Sequence, residues 1–325
     1  MKKILVTGGA GYIGSHAVRA LLNQGKEVLV IDNLEKGHRE AVQKEILIEG
    51  DLRDRAFLED VFQSNPIESV MHFAADSYVG ESVENPGKYY ENNILSSLNL
   101  LRAMQKYGVT NIIFSSTAAV YGNGNGKPLK ETDHAEPINP YGFTKHIVER
   151  MLSDFSDAHG LRFVALRYFN AAGADPNGDI GESHIPETHI IPLTLAVAAG
   201  KLPMLTVFGN DYPTPDGTCL RDYVHVTDIA EAHLNAIAYL EQGGANTILN
   251  IGNNKGYSVS EVIKTARQIT GKTIPTVISG RRAGDPALLL CDNAFARQAL
   301  NWQPKLSSIE KIIETAWRWE LGRHF

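Results

Sequence analysis

Short apolar runs alternate with amphipathic stretches from the start of the chain. Residues 3–7 form a β-type run, and Ile13, Ala17, Ala20, Leu21 and Leu22 then supply a buried face for a helix. The next apolar run, 27–31, ends at Asp32. Further strands are predicted over 45–49, 69–73, 111–114 and 162–167, with a helix over 54–64. A long helix is expected over 86–107, with Pro86 at its start and Gly108 just past its end. Its stripe of Leu95, Leu98, Leu101 and Met104 suits either a sheet or a second subunit. This β–α alternation predicts an α/β fold, a Rossmann-type doubly wound parallel sheet.

The first strand runs into Gly8-Gly9-Ala10-Gly11-Tyr12-Ile13-Gly14, and the second closes on an acidic residue, Asp32. Strand, glycine turn, helix, strand and carboxylate within about 30 residues is the order that a dinucleotide site requires. Glycine lets the backbone approach a pyrophosphate, and the helix N-terminus offers N–H groups to it. The spacing of Gly8, Gly11 and Gly14 is one residue wider at the front than the common pattern. Asp32 can accept hydrogen bonds from ribose hydroxyls and would repel a 2′-phosphate, so NAD is expected rather than NADP. Asp51 and the Phe73-Ala74 backbone also fall at strand ends. Each could contact a ligand or serve turn and core chemistry.

Hydroxyls follow the strand at 111–114, in Ser115-Ser116-Thr117. After a polar loop, Tyr141 and Lys145 stand four residues apart at the start of a helix, on one face. A phenol ionises near pH ~10, and a neighbouring ammonium favours the anion. Such a pair can work as a base near neutral pH.

Beyond 170 the composition shifts: residues 171–186 are rich in Gly, Asp and Pro and have no apolar period. The expected domains are therefore 1–170 for NAD and 171–325 for substrate, with 223–251 able to return to the first. The second part should carry helices over 188–199, 228–242, 258–270 and 307–319. Extended segments are expected over 205–208, 220–226, 247–251 and 274–278.

Composition narrows the function classes. The chain has 325 residues, 43% hydrophobic and 21% charged, with net charge −6 and no basic stripe, so no nucleic-acid partner is expected. No stretch is long and apolar enough to span a membrane. Two cysteines, Cys219 and Cys291, support no disulfide framework, and a cytoplasmic location is the simplest reading. The eleven histidines show no His-Glu-x-x-His or similar spacing, so no metal is expected.

With these motifs the chain resembles the extended short-chain dehydrogenase/reductase family, and within it the nucleotide-sugar 4-epimerases. The marks are Thr7 to Gly14, Asp32-Asn33-Leu34, His72 to Ala75, Tyr90 to Asn93, Phe114 to Thr117, Tyr141 with Lys145, and Arg167 to Asn170. Phe208 to Thr214, Arg221 to Val226 and Arg281 to Asp285 add more specific ones. The resemblance implies a smaller C-terminal domain over the sheet and a homodimer. It also implies NAD-dependent interconversion of UDP-galactose and UDP-glucose at C4. Tyr141 would be the acid/base, Lys145 would hold the nicotinamide ribose, and Thr117 would bond the reacting sugar oxygen. Gly8, Gly11, Tyr12, Ile13, Gly14, Asp32, Asn33, Asp51, Leu52, Phe73, Ala74, Asn92 and Phe169 would complete the cofactor site. Asn170, Phe208, Arg221, Tyr223, Arg282 and Asp285 would bind the UDP-sugar.

Departures from the family pattern are Ser77 for a lysine near the cofactor phosphates, Thr117 for serine, and His189 for an asparagine at the substrate. Leu288 falls near the position that gates sugar size. Ala118 and Ala119 stand where related dehydratases carry an Asp-Glu pair. A 4-epimerase of another UDP-sugar (UDP-GlcNAc, UDP-xylose or UDP-glucuronate) and a non-catalytic NAD-binding protein remain the alternatives.

Overall fold

The computed structural model describes residues 2–282 and 286–325. The first half alternates as the apolar pattern predicts. It runs β1 (Lys3–Thr7), α1 (Tyr12–Asn23), β2 (Val28–Asp32), β3 (Leu47–Glu49), α2 (Arg55–Ser64) and β4 (Ile67–His72). Helices α3 (Val79–Glu84), α4 (Pro86–Tyr89) and α5 (Ser96–Tyr107) follow, then β5 (Asn111–Thr117), α6 (Pro140–His159), β6 (Arg162–Tyr168) and β7 (Asn170–Ala172). The remainder comprises α7 (Ile190–Ala198), β8 (Leu205–Phe208), β9 (Leu220–His225), α8 (Val226–Glu241), β10 (Thr247–Ile251), β11 (Gly256–Ser258) and α9 (Val259–Thr270). It closes with β12 (Thr276–Ser279), β13 (Leu288–Leu289), α10 (Ala294–Leu300) and α11 (Ile309–Gly322).

Seven strands form a parallel sheet in the order β3-β2-β1-β4-β5-β6-β10. The order reverses between β1 and β4, the place where a doubly wound sheet leaves a crevice. Strand residues alternate between two helix layers, as the pleat demands. Ile4, Val6, Ile113 and Val164 pack on the face bearing α1, α8 and α10, whereas Leu5, Ile112 and Phe163 pack on the face bearing α2, α5 and α6. A third core, from α7, β8, β9, α9 and α11, belongs to the C-terminal part.

The chain does not stay on one side of residue 170. Strand β10 joins the edge of the main sheet, and α8 packs on α1. Ala296, Leu300 and Trp302 then bury themselves in the same core, with Trp302 Nε1 donating to Asp228 O at 2.8 Å.

Two expectations, one helix and one strand, change in detail. The helix expected over 86–107 is interrupted: Tyr90–Leu95 winds as a π-helix between α4 and α5. Asn93 is the cause, because it exchanges hydrogen bonds with the Asp76 backbone and donates to Thr144 Oγ1. The wider turn rotates the apolar stripe, so Leu100, Leu101 and Met104 are buried while Leu95 is exposed. The strand expected over 45–49 starts only at Leu47, after a 3₁₀ turn over Lys44–Ile46. Among the described residues no helix is long and apolar enough to cross a membrane.

Trp302→Ala should empty a fully buried site and cost about 3–5 kcal/mol. Guanidinium unfolding reads this as a lowered midpoint; an unchanged midpoint would show that this segment contributes nothing to the main core.

Candidate functional site

Every site residue expected from the sequence lines one cleft of about 820 Å³, open between the sheet's C-terminal edge and the C-terminal part. Asp285 is the exception, since it lies outside the described residues.

The cleft's floor is the β1–α1 turn. Gly8 has φ +71° and donates its N–H to Ile31 O at 2.8 Å. A Cβ on Gly8 would stand 2.5 Å from Ala74 N, and one on Gly14 only 2.1 Å from Gly8 O. Glycine is therefore required at both positions. Helix α1 begins at Gly11 without a side-chain cap, so N–H groups at Gly11, Tyr12, Ile13 and Gly14 border the cleft with the helix's positive end behind them. Tyr12 is tied across the cleft, its hydroxyl donating to Gly173 O at 2.6 Å.

Asp32 accepts N–H bonds from Ala10 and Leu34, both at 2.9 Å. Burial raises its carboxyl above the usual range against the pull of those two donors. Asn33 Nδ2 donates to Asp51, and Arg53 clamps Asp51 with guanidinium and backbone bonds that hold its carboxyl down to about 2. Leu52 is buried beneath them. The N–H groups of Phe73 and Ala74 both reach Thr7 O, which presses β4's end against the glycine turn. The π-helical turn aims Asn92 at the cleft, where it donates to Asp76 Oδ2 at 2.9 Å. These groups fit a dinucleotide: a cradle that a Cβ would fill, an uncapped helix start and a carboxylate at the second strand's end.

Helix α6 and strand β5 meet in a ladder of three rungs. The Tyr141 phenol pairs with the Thr117 side chain, Lys145 Nζ donates to Ser115 O at 2.8 Å, and Glu149 Oε1 accepts from Ser116 Oγ at 2.6 Å. The three α6 residues share one face at helical spacing. Lys145 is only 3% exposed, lies over the Phe114 ring at 5.0 Å, and bonds the strand carbonyl rather than the Tyr141 hydroxyl. Burial brings the Lys145 ammonium down to about 7, with Glu149 acting to raise it. Burial also pushes the Tyr141 phenol up, and the Thr117 bond draws it back.

Glu149 was not singled out by sequence, yet it anchors this ladder. Burial works against its charge, but the Arg167 guanidinium, the nearby His146 ring and the Ser116 hydroxyl hold its carboxyl below the usual range. Arg167 donates to both its oxygens, at 2.8 and 2.6 Å, and also to the Tyr121 hydroxyl, which donates to Asn250 Oδ1. The residue type at Lys145 plus four was the available signal.

The opposite wall comes from the C-terminal part. Phe169 is held by its N–H to Ile251 O, and Asn170 donates to Asp222 O at 2.9 Å. Strand β7 aligns Asn170 beside Tyr223. Arg221 donates to Leu220 O and Pro286 O, while Arg282 stacks its guanidinium over Phe208 at 4.0 Å. The size-gating expectation shifts by one residue: Leu289 lines the cleft and Leu288 does not, because neighbours on β13 point to opposite faces. Ser77 does line the cleft, and the nearby cation is Lys36, whose ammonium lies 4.9 Å from the Tyr78 ring centre.

His189 does not stand alone. It joins Glu182, His184 and Glu187 in a cluster whose donor atoms all lie within 4.8 Å of one another. Although burial opposes it, the two glutamates raise His184 to about 9. The spacing Glu-x-His-x-x-Glu-x-His at 182–189 was visible in sequence but matches no familiar ligand motif.

Lys145 loses its charge as pH rises through about 7, and Glu149→Gln removes the negative charge holding that value up. The alkaline limb of kcat/KM should therefore move to lower pH by about one unit. The buried Arg167 left unpaired should cost about 3–5 kcal/mol, read by thermal unfolding. An unshifted pH profile in the folded variant would remove Glu149 from any part in setting Lys145.

The family model for the NAD dependent epimerase/dehydratase family matches residues 4–252. The chain is 51% identical to the UDP-glucose 4-epimerase of Halalkalibacterium halodurans, over 97% of this chain and 95% of that one. In structure it is similar to the UDP-glucose 4-epimerase of Brucella ovis in complex with NAD, with TM-score 0.95 and 47% identity over 98% of each chain. It is also similar to the Bifidobacterium longum enzyme in complex with NAD⁺ and UDP, with TM-score 0.93 and 38% identity over 99% of each. A glycine cradle, a Tyr-Thr-Lys centre and an arginine-bearing wall thus coincide with homology along nearly the whole chain, and the protein belongs to the NAD-dependent epimerase/dehydratase family.

Proposed function

We propose that this chain interconverts UDP-galactose and UDP-glucose by oxidising the sugar at C4, turning it over, and reducing it on the other face. The observation that carries this reading is the composition of this cleft. A tyrosine and a threonine on one side of the cleft face an arginine-bearing wall, and no carboxylate pair stands beside them, since Ala118 and Ala119 occupy those places. A dehydratase needs an added acid and base to expel water; an epimerase needs only a reversible proton transfer.

The cofactor would be NAD, held at its pyrophosphate by the Gly8–Gly14 turn and at its adenosine by Asp32, Asn33, Asp51 and Leu52. Phe73, Ala74, Asn92, Lys145 and Phe169 would border the remainder. When bound, NAD supplies the acceptor and donor of hydride. Tyr141 as phenolate takes the proton from the 4-hydroxyl and later returns it, while Thr117 orients that oxygen. Lys145 in its charged form favours the phenolate by proximity. Asn170, Phe208, Arg221, Tyr223, Arg282 and Asp285 would grip UDP while the sugar itself is held loosely enough to turn. Leu289 would border the sugar.

The purified protein, with no cofactor added, should convert UDP-galactose to UDP-glucose. Tyr141→Phe should keep the fold and lose kcat by about 10²–10⁴-fold. Conversion only with UDP-N-acetylgalactosamine would move the reading to a sister substrate, and no conversion of any UDP-sugar with NAD supplied would end it.

The homodimer is part of the same proposal. It is supported by Tyr90, Leu95 and Phe143, exposed on the neighbouring π-helical stretch and α6. Light scattering after size-exclusion chromatography should give twice the chain mass, falling to the monomer for Leu95→Glu with Phe143→Glu.

A further inference from the structure

We propose that Glu182, His184, Glu187 and His189 form a binding site for a divalent transition-metal ion, with zinc as the ion whose geometry they fit. This inference does not depend on the epimerase reading.

The four side chains interleave. His189 Nδ1 lies 2.5 Å from Glu182 Oε1 and 3.5 Å from Glu187 Oε1. His184 Nδ1 lies 3.2 Å from Glu182 Oε1 and 3.7 Å from Glu187 Oε2. Each imidazole thus faces both carboxylates. Zinc bound tetrahedrally at about 2.0–2.1 Å places neighbouring donors about 3.3 Å apart, which falls among these four His–Glu distances. Two imidazoles and two carboxylates, with no thiolate, are a donor set for zinc and its neighbours in the first transition row rather than for magnesium. The two positive charges of the ion would balance the two carboxylates with both imidazoles neutral.

The surroundings hold the donors in place. Glu182 is 6% exposed, and its carbonyl accepts from Trp319 Nε1 at 2.9 Å. Glu187 Oε1 accepts the N–H groups of Thr188 and His189 at 2.6 and 2.8 Å. Tyr12 and Tyr78 set their ring edges toward His184, at 6.2 and 5.8 Å between centres. His184 Nδ1 is buried and aimed at the carboxylates, yet makes no well-aligned hydrogen bond with either. A donor atom so placed suits a central ion better than a proton shared along one line.

Four protein ligands would saturate a tetrahedral ion, which marks a structural site rather than a catalytic one. The segment it would fasten leads directly into α7 and forms part of the cleft wall. The ion would pin that wall.

The test uses the full untagged chain, stripped with EDTA and dialysed to equilibrium against micromolar zinc sulfate. Plasma mass spectrometry should find one zinc per chain, and the melting temperature should rise with zinc but not with magnesium. Cobalt(II) in place of zinc should give the intense visible bands of a tetrahedral site. His184→Asn and Glu187→Gln should each lose the bound zinc and the melting shift. Zinc retention by the parent no greater than by these variants would overturn the proposal. If the variants do not fold, absence of the tetrahedral cobalt bands in the parent would overturn it alone.

Discussion

The buried ion pair between Glu149 and Arg167 is the contact on which the rest of the centre depends. Two charges that are 3% and 5% exposed carry a desolvation cost that only full hydrogen bonding offsets. Here each carboxylate oxygen accepts from Arg167, Glu149 Oε1 also accepts from Ser116 Oγ, and a further Arg167 N–H donates to the Tyr121 hydroxyl. That satisfied network fixes α6 along β5, because Glu149 is on the helix while Ser116 and Arg167 are on adjacent strands. Tyr141 and Lys145 inherit the register two turns and one turn upstream. A slip of one residue would carry the phenol away from Thr117.

The same arrangement sets the electrostatics. Burial disfavours charge on both Lys145 and Tyr141, so each depends on the fields around it. Glu149 supports the ammonium from one side. His72, also buried, is driven down to about 3 by burial and by Lys145, so it stays neutral and adds no competing charge. Its ring instead links Thr7 Oγ1 to Ser97 Oγ, joining β1, β4 and α5 directly below the glycine turn. The glycine turn and the Tyr141–Lys145 face are thus each backed by buried polar contacts.

The C-terminal part is attached rather than merely placed nearby. Strand β7 leaves the main sheet and pairs with β9, while β10 returns to the main sheet's edge beside β6. Asp222, next to Arg221 on β9, turns its carboxylate to the N–H groups of Asn253 and Cys291. The wall carrying Arg221, Tyr223 and Asn170 is thereby tied to the segment after β10, whose Ile251 pairs with Tyr168 and accepts the Phe169 N–H. Crossing back and forth between the two parts joins both walls of the cleft through hydrogen-bonded strands.

Local physics made much of this legible in the sequence. The strand-turn-helix at 3–23 can be read because a glycine turn, a 3.6-residue period and a carboxylate after the next strand are all short-range features. Tyr141 with Lys145 is legible for the same reason. The π-helical turn at Tyr90–Leu95 was not, since it arises from Asn93 reaching Asp76 and Thr144, 17 and 51 residues away. Nor was the role of Glu149, whose partners lie on two strands 33 and 18 residues distant. Leu289 rather than Leu288 faces the cleft because β13 pairs with β9, and the pairing decides which face is inward. The Glu182–His189 cluster required the loop to fold back on itself against Trp319. By itself the sequence determined the parallel sheet, the glycine turn and the residues that line the cleft. Only the tertiary structure decided which groups meet across the cleft and what charge they carry there, because burial and long-range pairing have no local signature.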